Sequence, residues 1–303
     1  MRCGVRGVIT ALLLGATVVG AELAPPGPTE VGPYEQSQST ELHTKFSSGQ
    51  GIVPIYEGWE RVPDGSFNMV FGYLNRNHVE ELSVPIGAQN GFQPGAPDRG
   101  QPTYFYPREN HFLFRVNVPK DWDRTKELVW TVTANGKTET ARATLLDVWE
   151  IDRKVEVSNN GGVQITNELI MKDQPPVVVI APVSRAKAGT PLQLSAAVTD
   201  DGLPGPSKPR PPRQLEPTLR GAPPSPVNVP LPARPKMPQG LSVLWTVYRG
   251  PAGATFDPDG YVKVENGKVS VKATFARAGT YTLRAFAADG LLRTPADITV
   301  TVD

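Results

Sequence analysis

Hydrophobic positions between residues 52 and 146 recur every second residue rather than every third or fourth. Phe67, Met69, Phe71 and Tyr73 share one face, with Asn68, Val70 and Gly72 on the other. Phe112, Phe114, Val116 and Val118 repeat the pattern opposite Arg115 and Asn117. Alternation with period two predicts strands, here over residues 66–74 and 111–118, with a further run over 79–84. Pro119 ends the third run, because it lacks the donor that a ladder requires. Asn135-Gly136, flanked by residues 127–133 and 137–145, predicts a tight hairpin, since both residues tolerate positive φ. With no helical period between these runs, residues 52–146 read as an antiparallel sandwich.

The same alternation returns after Pro175-Pro176. Leu192, Leu194, Ala196 and Val198 form one inward row and Tyr281, Leu283, Ala285 and Ala287 another, with Leu244 and Trp245 supplying bulk between them. Residues 177–180 and 297–302 predict the first and last strands of this half. Gly279-Thr280-Tyr281 places a tyrosine at a corner where its phenol can bond back to the chain.

Several stretches interrupt the pattern. Residues 22–51 are rich in Pro, Gly, Ser and Thr with few apolar positions, and predict a flexible segment. Residues 87–107 form a Gly- and Pro-rich loop, of the length that tends toward function or disorder. Residues 147–174 read as a linker, most flexible at Asn159-Asn160-Gly161-Gly162. Residues 203–240 are proline-rich and basic, with Lys208, Arg210, Arg213, Arg220, Arg234 and Lys236 against Glu216 alone. That composition favours polyproline II and predicts a disordered insertion within the second sandwich. Such an insertion is tolerable because loop-closure entropy grows only logarithmically with length.

The runs 175–180, 188–202, 241–247 and 278–290 resemble the PKD and cadherin-like immunoglobulin-like domains of exported bacterial proteins. The motifs Ile55-Tyr56-Glu57-Gly58-Trp59-Glu60, Asn68–Asn77 and Gly100–Arg108 resemble an uncharacterised family of exported bacterial proteins, which implies export and no assigned activity. The fold expected is all-β, with two antiparallel β-sandwich domains at 52–146 and 175–303, the second immunoglobulin-like.

Charge and cysteine usage narrow the function classes. Arg2 and Arg6 precede an apolar run from Val8 to Val19 and the small residues Gly20 and Ala21, the three-part build of a signal peptide over residues 1–21. The apolar run is too short to span a bilayer. Cys3 is the only cysteine and precedes that run, which argues against a lipid anchor, a disulfide or a thiolate enzyme in the mature chain. Net charge is +1, so no attraction to nucleic acid is indicated. The expected location is outside the cytoplasm, secreted or in the periplasm or cell envelope.

Candidate chemistry is sparse. His43, His78 and His111 are the only histidines and their spacing suggests no zinc site. No nucleophile elbow, metalloprotease helix or phosphate loop is present. Tyr56 and Trp59 beside Glu57, Glu60 and Asp64, and Tyr104 and Tyr106 in the long loop, are the candidate ligand-binding residues, with packing as the competing use of the same rings. Asp200, Asp201 and Asp289 fall on loops at one end of the second sandwich and are candidate calcium ligands; the competing use is Asx-type turns. In the cadherin-like resemblance, such ions stiffen domain junctions. No other cofactor is expected.

These features predict an exported, non-enzymatic binding, adhesion or scaffolding protein whose partner is a cell-envelope protein or glycan. The alternative is a secreted polysaccharide hydrolase using Glu57 or Glu60, which requires two carboxylates about 5–10 Å apart in a concave site. Mass spectrometry of the exported protein should find Glu22 or a near neighbour at the N-terminus. Met1 or a lipidated cysteine there contradicts the assignment.

Overall fold

A computed structural model describes residues 46–159, 167–205 and 237–303. The signal peptide, most of the 22–51 segment, residues 160–166 of the linker and the bulk of the proline-rich insertion lie outside the described residues. Residues 46–51 do not continue the expected flexible segment. Gln50 N–H and O bond the Asn77 side chain at 2.7 and 3.0 Å, and Gly49 N–H donates to Glu80 at 2.7 Å.

The first sandwich is built from two three-stranded antiparallel sheets. One pairs β1 (Ile52–Arg61), β2 (Phe67–Asn75) and β6 (Arg108–Val118); the other pairs β4 (Asn90–Gln93), β7 (Leu128–Ala134) and β8 (Lys137–Ala143). The turn Asn135-Gly136 joins β7 to β8 with φ of 49° and 72°, as its sequence predicts. Between the sheets lies an aromatic core. Phe71 stacks on Phe114 at 5.5 Å, Phe92 on Trp130 at 5.8 Å, and Trp130 meets Phe114 edge-on at 5.1 Å. Offset and edge-to-face contacts of this kind add to the stabilisation from burial alone.

Strand β2 departs from simple alternation. Val70, on the polar face by sequence, is fully buried. The residue opposite it on β6 is Arg115, which bonds Glu60 at 2.6 Å and reaches Glu156 at 3.0 Å. Glu156 belongs to a short helix, α1 (Arg153–Asn159), whose first turn is capped by Asp152 Oδ1. A linker helix thus reaches the face that the pattern alone leaves to solvent. The run 79–84 shrinks to β3 (Leu82–Ser83), paired with β5 (Tyr104–Phe105), and Val79 is exposed.

The loop 87–107 is ordered by buried amides. Asn90 donates to Val84 O and Pro102 O at 2.9 and 2.8 Å and accepts the Trp130 indole N–H at 2.9 Å. Asn75 donates to Glu80 O and Phe105 O, and Gln101 donates to Pro97 O. Each amide supplies both donor and acceptor, which irregular backbone needs when it is buried.

The second sandwich packs a four-stranded sheet on a five-stranded one. The first has the order β13 (Ala254–Asp257), β15 (Lys268–Phe275), β11 (Leu192–Thr199), β9 (Val177–Ile180). The second has the order β10 (Arg185–Ala186), β17 (Arg293–Val302), β16 (Gly279–Ala288), β12 (Ser242–Arg249), β14 (Tyr261–Lys263). This is the strand order of an immunoglobulin-like sandwich. The inward rows are those read from sequence: Leu194, Ala196 and Val198 face Tyr281, Leu283, Ala285 and Ala287, all buried with Trp245. The Tyr281 phenol donates to Arg277 O at 2.9 Å, the expected corner bond.

The two sandwiches touch directly. Alternation along β12 puts Trp245 and Val247 in the core of the second sandwich and Leu244 and Tyr248 on the opposite face, where both join the core of the first. Tyr106 Oη accepts Val247 N–H at 2.9 Å, and Thr103 N–H donates to Tyr248 O at 3.1 Å. Arg249 donates to Gln101 O at 2.8 Å and clasps Asp98 with two bonds of 2.9 and 2.7 Å, which holds the Asp98 carboxyl below its usual range. Arg284 is buried over the Tyr248 ring at 3.4 Å, holds Asp297 bidentately at 2.7 and 2.8 Å, and donates to Leu113 O at 3.0 Å. Residues 44–303 consequently form one compact unit.

Asn90→Leu should lower stability by about 3 kcal/mol, because it leaves a buried indole donor and two buried carbonyls unpaired. Urea unfolding measures this, and an unchanged midpoint contradicts the role given to the amide.

Candidate functional site

Of the ring pair nominated near the N-terminus, only one member reaches the surface. Trp59 has no exposure; its indole N–H donates to Leu146 O at 2.9 Å, and Arg61 and Arg124 lie over its ring at 5.2 and 5.0 Å. Tyr56 is half-buried, donates to Thr144 O at 2.6 Å and packs against Trp149 at 5.4 Å. Tyr104 and Tyr106 take up the packing use of their rings. They contact each other at 5.0 Å inside the joint between the sandwiches, and the Tyr104 phenol bonds Glu81. Burial raises the pKa of both phenols.

What the surface offers instead is the turn after β8. Leu146 is 45% exposed, Val148 83% and Trp149 45%, on a 3-10 turn at Asp147–Trp149. The turn is fixed to β1. Ile151 N–H donates to Trp59 O at 2.9 Å, and Arg61 and Glu150 form a two-bond pair at 2.7 and 3.1 Å. Gly58 makes the approach possible: its φ is 132°, and a Cβ there would lie 2.6 Å from Trp149 O and 2.5 Å from the Ile151 side chain. Arg124 pairs with Asp147 at the rim. The result is an apolar, aromatic ridge on a rigid aromatic base with charged edges. Sequence reasoning places Leu146 at the end of the first sandwich and Val148 and Trp149 in the linker. Leu146, Val148 and Trp149 are apolar without period, which was the available signal.

The candidate acids have other partners. Glu57 Oε1 bonds His111 Nδ1 at 2.9 Å, and this bond raises the His111 pKa. Glu60 bonds Arg115 and Asn68. Asp64 accepts Ser66 N–H and Oγ–H in a turn. Glu57 sits against Gly72, where a Cβ would lie 2.5 Å from Glu57 Oε1, so the carboxylate is wedged against the sheet.

At the entry to the second sandwich, Asp200 accepts Gly202 N–H at 3.0 Å, and Asp201 accepts Leu203 N–H at 2.9 Å and Gln174 N–H at 3.0 Å. Asp289 accepts Leu291 N–H and Leu292 N–H at 2.6 and 2.7 Å. These are Asx-type turns. Among the described residues, no three acidic, histidine or cysteine side chains gather closely enough to hold a metal by themselves. A fourth carboxylate, Asp173, lies at the same junction; sequence reasoning missed it because it sits in the linker, before a proline pair, with no motif around it.

No helix among the described residues is long and apolar enough to cross a membrane. No family model matches the chain, and no curated protein matches it. Solved structures with similar architecture include domains 4 and 5 of the S-layer protein SbsC, at 9% identity and TM-score 0.24 over 58% of this chain and 65% of that one. They include the D00-D0 domains of intimin, at 11% identity and TM-score 0.24 over 82% and 99%. An endo-fucoidan hydrolase of glycoside hydrolase family 107 is similar at 12% identity and TM-score 0.24, over 86% of this chain and 27% of that one. The chain spans 65% of the SbsC fragment and 24% of a longer SbsC structure. Likeness this weak carries no argument about fold or activity.

Proposed function

We propose that the chain is an exported, non-catalytic binding or scaffolding module that acts outside the cytoplasm. In this reading the immunoglobulin-like sandwich is a rigid mount, and the first sandwich presents the Leu146–Val148–Trp149 ridge to a cell-envelope protein or glycan. The observation that carries the proposal is the exposure of Val148 and Trp149 on a turn clamped to β1 by Gly58 and the Arg61–Glu150 pair. An apolar turn free of its own core contacts would be expected to fold back; this one is held outward. Aromatic anchors within a charged rim are also the composition of many binding patches.

Glu57 bonds His111 and Glu60 bonds Arg115, so both acids have side-chain partners within the fold, which supports the binding reading. Trp149→Ala combined with Val148→Asp should reduce retention of the protein on isolated cell-envelope material at least tenfold. The melting temperature should shift by no more than about 2 °C, because exposed side chains contribute little to stability. Undiminished retention would remove the ridge from the proposal.

A further inference from the structure

Strand β9 ends one side of the four-stranded sheet, and its outer backbone is open. It pairs with β11 alone, in a register that sets Val177 against Thr199 and Ile180 against Ala196. Ala181 N–H donates to Ser195 O at 2.8 Å, so residues 177, 179 and 181 turn their N–H and carbonyl groups toward β11. Val178 and Ile180 turn theirs away from the sheet, and among the described residues nothing bonds them. The side chains beside this edge are apolar: Val177 is 58% exposed and Val179 63%, next to the exposed Ala197.

Open edges usually carry a charge that keeps other strands away. The remaining outer strands of this sandwich do so, with Asp257 on β13, Lys263 on β14 and Arg185 on β10. β9 does not, and residues 174–184 contain no charged side chain at all. Proline bounds the edge instead. By the same alternation, Pro176 and Pro182 hold the next outward positions on either side of Val178 and Ile180, and neither has an N–H to donate. The open ladder is therefore short, uncharged and stopped at both ends.

We propose that this edge pairs with the same edge of a second copy of the chain, antiparallel and about a two-fold axis at Val179. In that register Val178 of each copy exchanges both backbone bonds with Ile180 of the other, and Pro176 lies opposite Pro182, where no bond is needed. The charges flanking β9 select a second copy over a strand of arbitrary sequence. At one end Asp200 and Asp201 follow Thr199, and Asp201 accepts Gln174 N–H at 3.0 Å. At the other end Arg185 and Lys187 are exposed, Arg185 by 78% with Asp303 at 3.7 Å. Antiparallel pairing brings the acidic end of one copy level with the basic end of the other, whereas a parallel pair would set like charges together. Each copy offers this edge once, so the association closes at a dimer instead of growing into a filament. The dimer goes beyond the binding reading above and does not depend on the Leu146–Trp149 ridge.

Sedimentation velocity of the mature chain from roughly 1 to 200 µM should show monomer giving way to dimer as concentration rises. Val179→Lys sets two ammonium groups against each other at the axis and should lower the association constant at least about tenfold. The melting temperature of the dilute variant should stay within about 2 °C of the unsubstituted protein, because the side chain is exposed. Val179 faces its own copy as a non-hydrogen-bonded pair with Cα atoms about 4.5 Å apart, within reach of a disulfide. Val179→Cys should therefore form a covalent dimer under mild oxidation, in a chain whose expected start at Glu22 leaves no other cysteine. Val177→Cys should not, since its two copies lie about 13 Å apart along the strands. A chain that stays monomeric across the whole range overturns the proposal. So does a dimer that Val179→Lys leaves intact, or a Val177→Cys variant that cross-links as readily as Val179→Cys.

Discussion

A guanidinium buried between two sheets must be surrounded by acceptors, and in this protein that requirement ties one sandwich to the other. Arg284 projects from β16, takes both oxygens of Asp297 from its own sandwich, and gives its remaining reach to Leu113 O in the other. Its flat face rests on Tyr248, which alternation along β12 turns toward the first sandwich. Removing one partner of a buried charge typically costs about 3–5 kcal/mol, whereas an apolar contact slides with little loss. The pair therefore fixes orientation as well as proximity. Arg249, with its two bonds to Asp98, repeats the device at the edge.

That joint changes what the linker does. Two sandwiches connected only through residues 147–174 would move as beads on a string, since interfaces within a chain are mobile by default unless large and apolar. Here the linker runs across a contact already made by β12 and the 97–106 loop. Its helix α1 touches both sides, through Glu156 to Arg115 and through Val157 to Leu291 and Leu292. The two sandwiches and the linker helix therefore belong to one compact unit.

The strands were legible where the inward row alternates with residues of another kind, whether the outer face is wet, as in β11, or covered by the other sandwich, as in β16. The rows at Leu194–Val198 and Tyr281–Ala287, the Asn135-Gly136 turn and the Tyr281 corner all follow from local chemistry that does not depend on distant partners. Residues 254–275 hold three further strands that the sequence reading does not assign, although Val269, Val271, Ala273 and Phe275 alternate as plainly as any others. The loop 87–107 was illegible for a physical reason. Its order comes from single buried amides, Asn75, Asn90 and Gln101, which reach across the fold to specific carbonyls and leave no period. For the site, composition marked aromatic and acidic clusters, and of these Trp59, Tyr104 and Tyr106 lie inward because neighbouring segments cover them. Trp149 matters more than its position in an unpatterned linker suggests.

The most direct measurement of this account is differential scanning calorimetry of the mature chain, with and without the Tyr248–Arg284 contact. The unsubstituted protein should unfold in one transition whose calorimetric and van't Hoff enthalpies agree. Arg284→Leu together with Tyr248→Ala should separate it into two transitions, one for each sandwich. Two independent transitions in the unsubstituted protein would contradict the claim that this contact makes the sandwiches a single body.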